Sequence, residues 1–324
     1  MTQRTTGRGR LALGAAVLLV ACGGGGGRDA GQTGEAADTT VAAADSAPAA
    51  TIALTVNLLE APEAARFDPE LGVYFVANIN GSPLGKDGNG FISRLTRDGK
   101  VDSLKFIAGG RGGAVLNAPK GMAINGDTLW VADIDAARAF DKRSGKPILT
   151  VTLTGRARFL NDAVVGPDGA IYMTDTGVAD DGKGGMAHPG PDQVFRIENR
   201  KATVALTFAD KPGPNGITWD SAGSRFVIVP FGATSIFQWA PGDSSARVIA
   251  EGPGMMDGVE PLGDGRLLIT SWVDSSLFVL DAGKVTKLLG GLPGPADIGF
   301  DRERGRIAVP SLTDNRLQFV DLGP

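Results

Sequence analysis

The chain has 324 residues, a net charge of −4, one cysteine, 48 glycines and 19 prolines. That length suffices for one large β domain with a full core, and the many turn formers suit short strands joined by tight bends. An acidic chain without a basic run excludes nucleic acid as a partner, and a lone cysteine excludes an internal disulfide.

The N-terminus reads as a targeting segment. Arg4, Arg8 and Arg10 form a positive region, Leu11–Ala21 an apolar stretch too short to span a bilayer, and Leu19-Val20-Ala21-Cys22 resembles a bacterial lipobox. The expectation is a lipoprotein signal peptide over 1–21 with Cys22 as the lipidated mature terminus. Losing the three arginines takes the net charge from −4 to −7. The lipid would be the only membrane attachment, at the bacterial cell envelope and facing the periplasm. Residues 22–50 are low complexity, rich in Gly, Ala, Asp, Thr and Ser, and read as a flexible tether to a globular domain over 51–324.

From Ile52 the chain alternates apolar and polar residues to Leu58, the pattern of a single strand. A repeat then begins. The segments opening at Glu63, Lys120, Asn161, Asn215, Asp257 and Ala296 each run five residues to a bend, at intervals of 57, 41, 54, 42 and 39 residues. Each bend precedes a second apolar run: Val73–Ile79, Leu129–Ile134, Ile171–Thr176, Phe226–Phe231, Leu267–Trp272 and Ile307–Pro310. Third strands are expected at Phe91–Leu95, Ala137–Phe140, Val194–Ile197, Ser235–Trp239, Ser276–Leu280 and Arg316–Val320. Six units of about 40–50 residues with four strands each predict an all-β, six-bladed β-propeller. The last unit has room for three strands, so the N-terminal strand is expected to complete it.

In a closed ring the six opening residues point at one axis. Glu63, Asn161, Asn215 and Asp257 would bring two carboxylates and two amide carbonyls together, hard oxygen donors that fit one divalent cation: calcium first, with magnesium, manganese or zinc as alternatives. The plainer reading is a polar lining to a water-filled channel. Lys120 either pairs with Glu63 or Asp257 and replaces the ion, or leans outward to a substrate oxygen. Two long loops, Gly81–Gly90 and Gly177–Gln193, are expected over the same face, with Asn78, Asp133, Asp175 and Trp272 around the mouth. His188, the only histidine, reads as a solvated position on the second loop; Gly109–Gly113 lacks the helix of a phosphate loop, and Asp180-Asp181-Gly182 lacks the full spacing of a calcium loop. With one histidine and no mature thiol nucleophile, Ser-His-Asp and Cys-His chemistry have little to work with. Trp130, Trp219 and Trp239 are expected in the core.

Several of these segments carry a family resemblance. Pro62-Glu63 with Phe67-Asp68-Pro69, Asn161-Asp162 with Val165 and Pro167-Asp168-Gly169, Pro214-Asn215-Gly216-Ile217 with Trp219, and Asp257-Gly258 resemble, in the same order, motifs of the senescence-marker-protein/gluconolactonase (regucalcin-like) family. The resemblance runs from Glu60 to the C-terminus, and Pro119-Lys120-Gly121 and Pro295-Ala296-Asp297-Ile298-Gly299-Phe300-Asp301 look like a lipoprotein-bearing branch. It implies a six-bladed propeller with one divalent ion, Glu63, Asn215 and Asp257 as ligands, Asn161 as a substrate contact beside the ion, and Asp257 as general base. Two positions depart from the pattern. Phe159 stands where the family often has an arginine, with Arg158 the nearest one, and Lys120 is unusual.

The function expected is metal-dependent hydrolysis of a lactone or similarly activated ester by a monomer. Asp257 would be catalytic, and Lys120, Asp162, Asn78, Asp133, Asp175 and Trp272 would line the substrate site. Asp162 is a second candidate proton acceptor. The alternatives are a non-catalytic envelope propeller that binds a small ligand or a partner protein, and a structural envelope protein.

Overall fold

A computed structural model describes residues 50–323. The signal peptide, Cys22 and the tether expected before Ala50 lie outside the described residues.

The described chain is a ring of six four-stranded antiparallel sheets, the six-bladed propeller the repeat spacing predicts. The inner strands are Pro62–Asp68, Pro119–Asn125, Leu160–Val165, Pro214–Asp220, Met256–Pro261 and Gly299–Asp301, for blades 1 to 6. Blades 1, 2, 4 and 5 each use four consecutive strands, and blade 3 uses four in chain order with a hairpin between its second and third. In blade 6 the order is Gly299–Asp301, Arg306–Ser311, Arg316–Leu322 and then Ala50–Val56, so the first strand is the outer strand of the last blade. That strand starts at Ala50 and ends at Val56, two residues before the expected Leu58. The long loop of blade 3 holds a further two-stranded hairpin, Ala179–Asp180 with Met186–Ala187, which the composition of that loop does not announce. No helix among the described residues is long and apolar enough to cross a membrane.

The core is not one mass. It divides into six main apolar clusters, one at each junction between neighbouring blades. Phe75, Ile92 and Ile107 of blade 1 pack on Leu129, Val131 and Phe140 of blade 2. Leu268 and Leu277 of blade 5 pack on Ile307, Val309 and Val320 of blade 6, with Ala50 joining them. The sixth cluster sets Ala308, Leu317 and Phe319 of blade 6 against Tyr74, Val76 and Leu95 of blade 1, and so closes the ring. Both faces of a blade meet a neighbour, so successive side chains of a middle strand enter opposite junctions: Phe75 and Ala77 pack towards blade 2, Tyr74 and Val76 towards blade 6. Trp239 is buried between blades 3 and 4, while Trp219 and Trp130 pack partly buried against their clusters.

Closure also reaches the axis. The Ala65 N–H donates to the Asp297 carbonyl (3.0 Å) and the Asp297 N–H to the Glu63 carbonyl (3.0 Å), joining the inner strands of blades 1 and 6. The inner strands run so close that some positions admit only glycine. A Cβ on Gly121 would lie 2.4 Å from the Asp162 Cα, and one on Gly216 would lie 2.2 Å from the Asp257 carbonyl oxygen.

Candidate functional site

The axial residues share a local device. In each of blades 1 to 5 the register between inner and second strand slips at the axial residue: between Pro62 and Ala64, Pro119 and Met122, Leu160 and Ala163, Pro214 and Ile217, and Met256 and Val259. Such a bulge takes one or two residues out of the ladder and re-aims the side chain. It turns Glu63, Lys120, Asn161, Asn215 and Asp257 out of the sheet, and all five are buried.

Two threonines fix the bulges to the next blade. Thr174 Oγ1 accepts the Asp162 N–H (3.0 Å) and donates to the Asn215 carbonyl (2.6 Å). Thr270 Oγ1 accepts the Gly258 N–H (2.7 Å) and donates to the Ala296 carbonyl (3.0 Å). One hydroxyl thus sets two neighbouring axial residues against each other. Thr176 adds a third link, accepting from the Asn161 side-chain amide (3.0 Å) and donating to the Pro214 carbonyl (2.8 Å). With its NH2 so engaged, Asn161 keeps its oxygen for other partners.

Asp257 Oδ2 accepts the indole N–H of Trp272 at 3.0 Å, and the Asn215 side chain also acts to lower the pKa of this carboxyl. Its Oδ1 is buried with no partner, as is Glu63 Oε2. Burial raises both carboxyls: Asp257 is pushed up to about 8, and Glu63 well above its ordinary value, helped by the charge of Asp257. Two buried carboxylates with unfilled oxygens, beside two amides, want positive charge. No group of three or more His, Cys, Asp or Glu side chains that could hold an ion occurs among the described residues. The axial set is a different mixture, two acids and two amides.

Lys120 is buried and pairs with neither Glu63 nor Asp257. Its ammonium donates to the carbonyls of Ala118 (3.0 Å) and Pro83 (3.2 Å) and sits 4.2 Å from the centre of the Phe159 ring. No described carboxylate is within ion-pair reach of it, although Glu63 still acts on it through space. The two departures from the family pattern, Lys120 and Phe159, are each other's contact.

Three expected mouth residues belong elsewhere. Asn78, Asp133 and Asp175 are fully buried and grip the backbone that leads into the inner strands. Asn78 accepts the Glu60 N–H (3.1 Å), Asp133 the N–H groups of Asn117 (3.0 Å) and Ala118 (2.8 Å), and Asp175 those of Arg158 (3.1 Å) and Phe159 (2.8 Å). Glu60, Asn117 and Arg158 each stand three residues before an axial residue, so these side chains are repeated clamps on the strand entrances. A polar residue ending an apolar strand was read as a mouth residue because the buried N–H groups it satisfies are invisible in sequence. Asp162 is also displaced: its Oδ2 accepts the Ile217 N–H (2.8 Å), its Oδ1 the Ala163 N–H (2.6 Å), and it faces Arg66 at 3.6 Å, one layer below the axial residues.

That lower layer is the part sequence reasoning missed. Arg66, three residues beyond Glu63, pairs with Glu260 and with Asp297 (3.0 Å). Arg302 reaches Glu260 at 3.6 Å from the far rim. Burial pushes Asp162 up to about 6 against the pull of Arg66, and holds Asp297 well above its ordinary value. The signal was present: Arg66 and Glu260 are charged residues inside inner strands, each three positions past an axial acid. His188 is another miss. It is half-buried, and its Nε2 lies 2.6 Å from the carboxylate of Asp192, which also accepts the Gly213 N–H (2.6 Å).

Comparison with known proteins bears on the fold. No protein-family profile and no curated protein matches the sequence. Among solved structures, a gluconolactonase from Xanthomonas campestris superposes with a TM-score of 0.64 at 20% identity, covering 86% of this chain and 95% of that one. A nidogen/laminin complex gives 0.56 at 17% identity, covering 81% and 85%. A catalytically inactive virginiamycin B lyase from Staphylococcus aureus gives 0.55 at 15% identity, covering 84% and 99%. Three different proteins share this ring, so its function must be argued from its site.

Proposed function

We propose that the chain is a divalent-metal-dependent hydrolase of lactones or similarly activated esters, of the senescence-marker-protein/gluconolactonase type, held at the bacterial cell envelope through lipid on Cys22. The observation that carries this reading is the pair of buried, partnerless oxygens at the axis, Glu63 Oε2 and Asp257 Oδ1. The likeness of fold to a gluconolactonase supports the same direction.

Glu63, Asn161, Asn215 and Asp257 would hold the ion, with calcium the first choice for so oxygen-rich a set. A divalent cation bound there would polarise the carbonyl of a lactone and lower the pKa of a water beside it. The chain's own groups do the rest. Trp272 fixes Asp257 Oδ2, so Oδ1 faces the axis in one orientation. Asp257, whose Oδ1 has no partner, would take the proton of the attacking water. Asp162 is excluded from that part, because both its oxygens already accept backbone N–H groups. Asn161, tethered through Thr176, presents its amide oxygen to the same space.

The test has two readouts. Protein purified without chelator should contain about one divalent ion per chain, and a panel of aldonolactones and aryl esters should show saturable, metal-dependent turnover. Metal without turnover would make the chain a binding propeller, the second reading. A metal-free chain that stays inactive under saturating calcium ends the proposal.

A further inference from the structure

A groove of about 340 Å³ opens between the long loops of blades 1 and 3. That is the size of a small-molecule pocket. Leu84, Ile134 and Ala157 supply apolar walls, and Lys86, Arg156 and Arg158 supply positive charge. Two of its lining residues adjoin the contacts of axial Lys120: Leu84 follows Pro83, whose carbonyl holds that ammonium, and Arg158 precedes Phe159, whose ring carries it.

The state of the arginines sets the groove apart. Thirteen of the seventeen described arginines are ion-paired, those of the channel and of the outer blade surfaces alike. The described exceptions are Arg111, Arg156, Arg158 and Arg200, and two of these four line this groove. Neither is spent on a carboxylate. Arg156 gives one N–H to the Ala202 carbonyl (2.9 Å), and Arg158 gives its Nε–H to the Gly190 carbonyl (2.8 Å). Both are thereby steadied on backbone, Arg156 also over the Phe195 ring at 5.7 Å, while their remaining N–H groups have no described hydrogen-bond acceptor. Lys86 is neutralised by Asp135 at 2.7 Å, and Asp180 is the other acid of the lining. A positioned guanidinium with spare donors is suited to the two-pronged recognition of a planar or tetrahedral oxyanion.

We infer that this groove is an oxyanion subsite, which takes the phosphate or carboxylate end of a ligand whose other end enters the axial site. The second half of that statement rests on the proposed hydrolase reading; the first does not. The substrate class it defines is an aldonolactone or related ester carrying a terminal anionic group, with Arg156 and Arg158 as specificity determinants that touch only that group.

The test begins with direct binding. Calorimetry on the intact protein compares inorganic phosphate, a six-carbon aldonate with a terminal phosphate, its dicarboxylate counterpart and the neutral-ended aldonate. The phosphorylated or dicarboxylate ligand should bind more tightly than the neutral-ended one, and the stronger of the two identifies the anion. The R156Q/R158Q double variant should lose roughly ten- to a hundredfold of that affinity, with its melting temperature and metal content unchanged. R158K, which keeps the charge and loses the fork, should fall between. With lactones, the preference for the anionic substrate should disappear through KM while kcat holds. Equal binding of charged and neutral-ended ligands by the wild-type protein, or equal affinities in wild type and double variant, would overturn the subsite. Charge-selective binding that the double variant loses, without turnover of any lactone, would keep the subsite and remove the hydrolase reading.

Discussion

The channel through this ring holds two layers of acid that differ in what neutralises them. Nearer the mouth, Glu63 and Asp257 are buried with an unpartnered oxygen each, and the one basic residue of that layer, Lys120, turns away to two carbonyls and an aromatic face. Further along the same segments, Asp162 and Asp297, each one residue past an axial position, and Glu260, three past Asp257, gather round the guanidinium of Arg66, three past Glu63. A guanidinium fills its place with fixed donors and has no open coordination position to offer a ligand. Where the chain supplies its own cation the layer is structural. Where it withholds one, the layer has an opening for an exchangeable ion, and that is where chemistry would occur.

The sharpest way to break the contrast is at Asp257. Replacing it with Ala removes a ligand, the Trp272 acceptor and the proposed proton acceptor together. Retained metal should vanish, and hydrolysis should fall on the order of a thousandfold, the scale of losing electrostatic stabilisation of the transition state. Unchanged turnover in that variant would move the reaction away from the axis. Arg66→Met tests the other layer. It leaves Asp162 and Asp297 without their buried partner and should cost about 3–5 kcal/mol of stability, read by denaturant unfolding. Recovery of that loss on adding a divalent ion would mean that the lower layer, too, accepts an exchangeable cation once its own is removed.

How much of this was legible in the sequence follows from the kind of contact involved. Blade number, strand order and the axial column rest on period and turn chemistry, which are local, and they could be read directly. The outer strand of blade 6 was readable because the last unit lacked one. The clamps were not: Asn78, Asp133 and Asp175 look like mouth residues until the N–H groups of Glu60, Asn117 and Phe159 are seen to need acceptors. The Arg66 layer was not, because its members come from blades 1, 3, 5 and 6 and meet only when the ring closes. The threonines escaped for the same reason, since Thr174 and Thr270 look like ordinary strand residues and act across a blade junction.

A milder perturbation reads the upper layer by pH, with Asp162 and Asp297 of the lower layer adding to the same slope. Asp257 has an ordinary value of 3.8 and is pushed up to about 8 in the fold. Between those values the native metal-free chain keeps a proton that the unfolded chain has lost. More protons are bound in the native state, so stability falls as pH rises through this window. A bound divalent ion would displace that proton and flatten the slope. The melting temperature of chelated protein should therefore drop towards pH 8, and calcium at about a hundred times its dissociation constant should restore roughly 2.7 kcal/mol, a shift of several degrees. A chelated protein whose stability rises over the same range would mean that Asp257 is ionised without help.

The smallest effect discriminates best, because it uses two copies of one device. Thr174→Val and Thr270→Val each remove a buried hydroxyl that bridges an N–H in one blade to a carbonyl in the next. Each leaves a donor and an acceptor unsatisfied at nearly constant volume and should cost about 1–3 kcal/mol. On stability alone the two variants should be alike. Their consequences at the axis should differ in degree, because Thr174 ties the backbone beside two candidate ligands, Asn161 and Asn215, and Thr270 beside one, Asp257, its other partner Ala296 having no ligating side chain. Metal affinity, measured by titration of chelated protein, should fall about tenfold or more in the first variant, as it does when a supporting contact of a metal ligand is lost. In the second it should fall less. If both variants lost affinity equally, the threonines would act through the stiffness of the ring as a whole. If neither did, the hydroxyls would not be what positions the ligands.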